Sequence, residues 1–93
     1  MNFNQLIDAA KTAANIRTDN ALGPHIGLTN SAANVWRRGK ALPSEKAVFE
    51  LCKLANEDPE KWILLLRMEM AAPEVKPVFK ASLDRLNREK SAA

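Results

Sequence analysis

Residues 18 to 40 read TDNALGPHIGLTNSAANVWRRGK, a pattern that predicts two short helices joined by a tight turn. Gly27 falls where such a turn needs a residue that can take positive φ, and Gly23 lets the second helix approach the first closely. Apolar residues at helical spacings predict one buried face on each helix: Leu22, Ile26, Leu28, Ala33 and Trp36. The two helices are therefore expected to be held at a fixed angle.

The opposite face of the second of these helices carries short hydrogen-bonding side chains followed by cations. Its residues are Thr29, Asn30, Ser31, Asn34, Arg37 and Arg38. Short polar groups suit the edges of bases, and flanking cations suit phosphates. This face is the candidate functional surface of the chain.

The rest of the chain is also helical by its apolar spacing. A first helix is predicted from Leu6, Ala9, Ala10, Ala13 and Ile16. Thr18, Thr29 and Ser44 are predicted to cap the second, third and fourth helices, and Gly39 with Pro43 to close the third. No stretch alternates with the period of a strand. The expected fold class is all-α, with five or six short helices.

Two prolines mark the C-terminal helices. Asp58 and Pro59 form a cap and a first-turn proline for a fifth helix that runs to Met70, and Pro77 sets the start or bends the first turn of a last helix from about Val75. Ninety-three residues form one domain. Within it, residues 1–57 are predicted to be the core and residues 58–93 an extension of the same domain.

Positive charge is concentrated in the N-terminal half. The formal net charge is +3, and residues 1–43 hold five basic side chains against two acidic ones, which accounts for the whole excess. Residues 44–93 hold nine of each sign, as expected of an ordinary solvated surface. The net charge therefore coincides with the candidate surface.

Several classes of protein are not expected. One cysteine, Cys52, cannot form an internal disulfide, and with the single His25 it offers no metal cluster. No cofactor, small-molecule ligand or enzymatic activity is predicted, because no nucleophile and base pair stands out and no Gly-rich phosphate loop is present. No membrane span or secretion signal is found. A cytoplasmic protein is expected.

The residues Gly23, Gly27, Ala33 and Trp36, with Arg38-Gly39-Lys40 after them, resemble the helix-turn-helix of the Cro and lambda-repressor type of regulator. Further on, LANEDPEKWILLLRMEMAAPEVKPVF (54–79) is similar to the tail of a small group of phage-related proteins in that superfamily. The resemblance implies a lambda-repressor-like domain with a C-terminal helical extension. It also implies a sequence-specific regulator of transcription, acting as a phage or prophage repressor on double-stranded DNA.

The resemblance assigns roles to the exposed face. Asn30, Ser31 and Asn34 would read bases in the major groove, and Thr29 would cap its helix and contact a phosphate. Three cations and one amide would contact the DNA as well: Arg38 at a base edge or phosphate, Arg37 and Lys40 at the backbone, and Asn20 at a phosphate. Pro24 departs from the pattern, and we expect the first motif helix to bend or start late there.

The C-terminal helices contain more apolar residues than a compact core of this size requires, from Trp62 almost continuously to Met70. A second copy of the chain is the simplest cover, and it would place two reading helices roughly 34 Å apart on a pseudo-palindromic operator. The predicted dimerisation residues are Trp62, Leu66, Met70, Phe79 and Leu83. Two alternatives stay open. The last helix alone could cover the fifth within a monomer, or the apolar surface could bind another protein, as in an antitoxin-like partner or adaptor.

Overall fold

The computed structural model describes the backbone of residues 3–92 and the side chains of residues 3–90. This part of the chain contains six helices and no strand, which confirms the all-α fold class. The helices are α1 (Phe3–Ala13), α2 (Asp19–His25), α3 (Ala32–Arg37), α4 (Glu45–Ala55), α5 (Pro59–Met70) and α6 (Lys76–Ala92). None of the described helices has the length and apolar character needed to cross a membrane.

The chain divides into two compact units, Met1–Glu57 and Asp58–Ala93. In the first unit α1 packs against α4 and α3, and α2 packs against α3. Its buried apolar residues are Phe3, Leu6, Ile7, Ala10, Leu22, Ala33, Ala47, Val48, Leu51 and Cys52. These residues come from all four helices, so the core of this unit fixes α2 and α3 on the support of α1 and α4.

Three helices begin with the side-chain caps that the sequence predicts. Thr18 and Ser44 each accept a hydrogen bond from the backbone N–H three residues on, at 3.2 and 3.1 Å. Asp58 accepts from the N–H two residues on, at 3.1 Å, and Pro59 is the first residue of α5. Each cap satisfies a backbone donor that the first turn leaves without a helical partner.

The predicted cap of α3 at Thr29 is wrong, because α3 begins three residues later. The Thr29 carbonyl accepts a bond from the N–H of Ala32 at 3.3 Å, so residues 29–31 form a turn instead of a helical start. The N-cap position is occupied by Ser31, whose backbone is already helical and whose side chain makes no cap bond. Thr29 and Ser31 instead lie with their hydroxyls 3.3 Å apart.

Two further boundaries differ from expectation. The first helix ends at Ala13, with Asn15 at φ +57 after it, so Ile16 lies beyond the helix. Pro24 lies in the last turn of α2, which starts directly after its Thr18 cap and therefore does not start late. Pro24 is one residue before the end of α2, so the helical hydrogen bond that its missing N–H removes is one of the last turn.

In the second unit α5 packs against α6. The side chain of Lys90 lies 2.7 Å from Asp58, which joins the end of α6 to the start of α5. Lys76 donates to the carbonyls of Met68 and Glu69, at 3.0 and 3.1 Å, and so caps the end of α5. These contacts therefore join α5 and α6 at both ends of the helix pair.

The five predicted dimerisation residues do not share one surface. Trp62, Leu66 and Leu83 are buried within the chain, and Phe79 is half-buried, whereas Met70 is 68% exposed. The apolar density that suggested a second copy is therefore accounted for only in part inside a single chain, since Ile63, Leu64 and Met68 are also only half-buried. For Trp62, Leu66 and Leu83, burial within the chain is what the alternative of a monomer, with the last helix covering the fifth, predicts.

Candidate functional site

Two glycines fix the connection between α2 and α3, as the sequence predicts. A Cβ atom built on Gly23 would lie 1.9 Å from the carbonyl oxygen of Thr29, so only glycine permits this approach. Gly27 has φ +81 and donates to the carbonyl of Pro24 at 3.1 Å, while Leu28 donates to the carbonyl of Gly23 at 2.9 Å. This is the left-handed closure of a helix end that favours glycine.

A third glycine ends α3 in the same way. Gly39 has φ +70, and its N–H donates to the carbonyl of Trp36 at 3.1 Å. Lys40 donates to the carbonyl of Val35 at 3.2 Å, which completes the closure. The exposed side chains of Arg38 and Lys40 therefore lie directly at the C-terminal end of α3, where the helix dipole favours cations.

Most of the predicted contact residues are accessible. Six of the eight have exposed side chains: Asn20, Thr29, Asn30, Ser31, Arg38 and Lys40. The other two, Asn34 and Arg37, are half-buried. Asn30, Asn34 and Arg38 follow one another at four-residue intervals, so they share one side of α3 and its flanks. We call the six residues Thr29, Asn30, Ser31, Asn34, Arg38 and Lys40 the polar face.

Asn34 is held in place by a residue of the preceding helix. Its side-chain amide donates to the Asn20 side-chain oxygen at 2.9 Å, in an exposed hydrogen bond between α3 and α2. After this bond Asn34 still offers one N–H and its side-chain oxygen to a ligand, and Asn20 still offers both of its N–H groups. Asn20 thus orients Asn34, a role that its position in the sequence did not reveal.

Arg37 has a different place from the one predicted. Its guanidinium donates to both carboxylate oxygens of Asp19, at 2.5 and 3.2 Å, and also to Asp8. Lys11 donates to Asp19 at 2.9 Å. We call these four residues the Arg37 cluster. It ties α3 to α2 and α1, so Arg37 is engaged within the fold.

The cluster shifts the ionisation of its members. The hydrogen bond from Arg37, followed by the bond from Lys11, lowers the pKa of Asp19 below its usual 3.8 against the opposing effect of burial. The same bond with Asp19, with a smaller contribution from Asp8, raises the pKa of Arg37. The ions are thus stabilised by each other in the folded state.

The Arg37 cluster also changes the meaning of the charge count. Within it two basic and two acidic side chains balance. The excess of +3 in residues 1–43 is therefore carried by three exposed cations: Arg17, Arg38 and Lys40. Among the described residues none of these three has an ion-pair partner. Two of them belong to the polar face.

An open polar depression of about 600 Å³ lies beside this face. It is lined by the Arg37 cluster together with Thr18, Asn20 and Asn34. Within the described part of the chain, no three His, Cys, Asp or Glu side chains are grouped to hold a metal ion. The depression is a gap between paired polar side chains of α1, α2 and α3.

Comparison with known proteins gives no match, whether with protein-family models, with curated proteins or with solved structures. The geometry of the polar face and of the helices that support it is therefore the ground on which function is proposed.

Proposed function

We propose that this chain is a sequence-specific, double-stranded DNA-binding regulator of transcription, with α2, the turn and α3 acting as a helix-turn-helix and α3 entering the major groove. One observation carries the proposal. The close approach at Gly23 and the left-handed turn at Gly27 leave the polar face outward, with short amide and hydroxyl groups at one end and two cations at the other. Groups of this kind suit base edges bordered by phosphates.

The distribution of charge favours DNA binding over a polar face that contacts only water. Asp8 and Asp19, which line the depression beside the polar face, are both engaged by Arg37. Arg38 and Lys40 are thus left to attract phosphates without a competing carboxylate among the described residues. In this function the chain would repress by occupying a promoter, in the manner of the phage repressors that its sequence resembles.

The first prediction concerns specificity. Against the duplex that the wild-type chain enriches from a random pool, we expect Asn34→Ala to weaken binding by about 10-fold, since a good amide contact to a base contributes about 1 to 3 kcal/mol. Arg38→Ala is expected to weaken binding and to reduce the slope of log K against log salt by about 0.9, if it contacts one phosphate. Fluorescence anisotropy at four salt concentrations measures both quantities.

Lys80→Ala provides the matched control, since Lys80 is an exposed cation of the second unit. It should leave affinity and salt slope unchanged. The proposal fails if the wild-type chain enriches no sequence, or if Asn34→Ala keeps the wild-type preference for its selected duplex over random DNA.

A second prediction tests whether Asn20 orients Asn34. In a double-mutant cycle, we expect Asn20→Ala and Asn34→Ala to be non-additive in DNA affinity, with the double variant little weaker than Asn34→Ala alone. The physical reason is that Asn20 acts partly through the 2.9 Å bond to Asn34. Additive losses would instead indicate two independent DNA contacts.

A protein-binding module is the second candidate function. It is favoured by exposed apolar side chains at the end of α5 and the start of α6, where Met70 is 68% and Val78 is 63% exposed, with Val75 between them. Such side chains, when contiguous, mark interaction sites. If Met70→Lys abolishes the biological activity of the chain while leaving DNA affinity intact, this surface and not the polar face carries the function.

A further inference from the structure

The outer face of α4 carries an aromatic side chain between two opposite charges. Phe49 is 47% exposed, although the inner face of the same helix is buried in the core of the first unit. Glu45 lies four residues before it and Lys53 four residues after it, and both are exposed. Because residues at four-residue intervals lie one above the other on a helix, these three side chains form one stripe.

We propose that this stripe is a dimerisation surface, on which α4 packs antiparallel to α4 of a second copy across a two-fold axis at Phe49. The axis places the two Phe49 rings against each other. It also places Glu45 of each copy opposite Lys53 of the other, so the same charge pair forms on both sides of the axis. A surface that is complementary to itself is the requirement for a two-fold interface.

Two further charges, Lys46 and Glu50, lie on the outer side of α4. With the axis at Phe49, Lys46 of one copy lies opposite Cys52 of the other, between its Glu50 and its Lys53. In the isolated chain Lys53 lies 3.5 Å from Glu50 and covers Phe49 at 5.7 Å from its ring centre. Both contacts are local and solvent-exposed, and they can be exchanged for contacts across the axis.

A recess of mixed polar and apolar lining lies next to Lys46 and Glu50. It has a volume of about 120 Å³ and is lined by Ile26, Leu28 and Ala47 together with Ser44, Lys46 and Glu50. Leu28 is itself exposed.

The order of charges favours a second copy over an unrelated protein. A parallel pair would set Glu45 against Glu45 and Lys53 against Lys53, whereas the antiparallel pair sets Glu45 against Lys53 on both sides of the axis. The eleven residues of α4 span about 16 Å, so the interface is smaller than the roughly 1,600 Å² of standard stable complexes. The dimer is accordingly expected to be weak in the absence of DNA.

Sedimentation equilibrium of the full chain, without DNA, tests the surface. We expect a monomer and dimer equilibrium, and Phe49→Ser should raise the dimer dissociation constant at least about 30-fold, the loss typical of a central interface residue. Since Phe49 is half outside the core, circular dichroism should show a folded variant. Met70→Lys, on the other exposed apolar surface, is the matched control and should leave the equilibrium unchanged.

Charge reversal tests the antiparallel geometry. Glu45→Lys and Lys53→Glu should each weaken self-association about 10-fold, because each places like charges on both sides of the axis. Mixed together, the two variants should form a heterodimer as tight as the wild type. The double variant should also recover dimerisation, although both of its changes oppose the dipole of α4 and reduce helix stability.

Three results would overturn the proposal. They are a wild-type chain that stays monomeric up to about 1 mM, a dimer that Met70→Lys disrupts and Phe49→Ser does not, and reversed variants that fail to pair with each other while remaining folded. None of these results depends on whether the chain binds DNA, so the dimer and the proposed function are tested separately.

Discussion

Replacing Gly23 with alanine is expected to destabilise the first unit by about 3 kcal/mol, the upper part of the range for inserting a methyl group into a packed site. The added Cβ would lie 1.9 Å from the carbonyl oxygen of Thr29, which is backbone and has no rotamer to move aside. Alanine is also about 1 kcal/mol more favourable than glycine within a helix. The clash between the added Cβ and the Thr29 carbonyl must therefore cost more than the net loss of about 3 kcal/mol. Urea unfolding followed by circular dichroism measures the change.

Gly27→Ala separates crowding from backbone conformation. No atom lies within 4 Å of a Cβ at Gly27, but its φ of +81 is strained for any L side chain. The expected loss is therefore only about 1 kcal/mol. If Gly23→Ala proves as stable as the wild type, the close approach of α2 to Thr29 is not needed for folding.

The turn could be predicted from sequence because its causes are local. Gly23 and Gly27 are four residues apart, and Thr29, whose carbonyl oxygen crowds Gly23, follows Gly23 by only six residues. The caps at Thr18 and Ser44 are local as well, and both are confirmed. Thr29 looks like a cap by the same rule, but its carbonyl is used by the turn and α3 begins at Ala32.

The side-chain partners of Arg37 could not be predicted from the sequence, because they are distant along the chain. Arg37 reaches Asp19 across 18 residues and Asp8 across 29 residues, and no periodic pattern links those positions. Arg37 and Arg38 are adjacent and chemically identical, yet one is enclosed in the Arg37 cluster and the other is exposed. Only the packing of α1, α2 and α3 distinguishes them.

Apolar density was equally ambiguous. The residues from Trp62 to Met70 suggested a partner, but density alone does not say which side chains a neighbouring helix already covers. The structure buries Trp62 and Leu66 and leaves Met70 exposed. Phe49, with a single aromatic ring on an otherwise charged face, was not predicted as a candidate, because one apolar residue makes no pattern.

Arg37→Met is expected to lower the free energy of unfolding at pH 7 by about 2 kcal/mol. Methionine keeps the apolar stem but removes the charged hydrogen bonds to Asp19 and Asp8. This loss is smaller than the roughly 3 to 5 kcal/mol that removing one partner of a fully buried ion pair costs. The reason is that the Arg37 side chain is a quarter exposed and Lys11 still pairs with Asp19. Arg38→Met, one residue further on, is the matched control and should change stability by less than about 0.5 kcal/mol.

The pH dependence follows from the lowered pKa of Asp19. A carboxylate whose folded-state pKa lies below its unfolded value of 3.8 contributes stability that is fully present above pH 3.8 and is lost as the pH falls through the folded-state pKa. The wild type should therefore lose this contribution in acid, and Arg37→Met, which has largely lost it already, should lose less. The difference in unfolding free energy between the two chains should thus be greatest at pH 5 to 7 and shrink below pH 3.8. Urea unfolding at a series of pH values measures it, and a difference that stays constant down to pH 2.5 would show that Arg37 stabilises the fold by packing and not through the ionised carboxylate of Asp19.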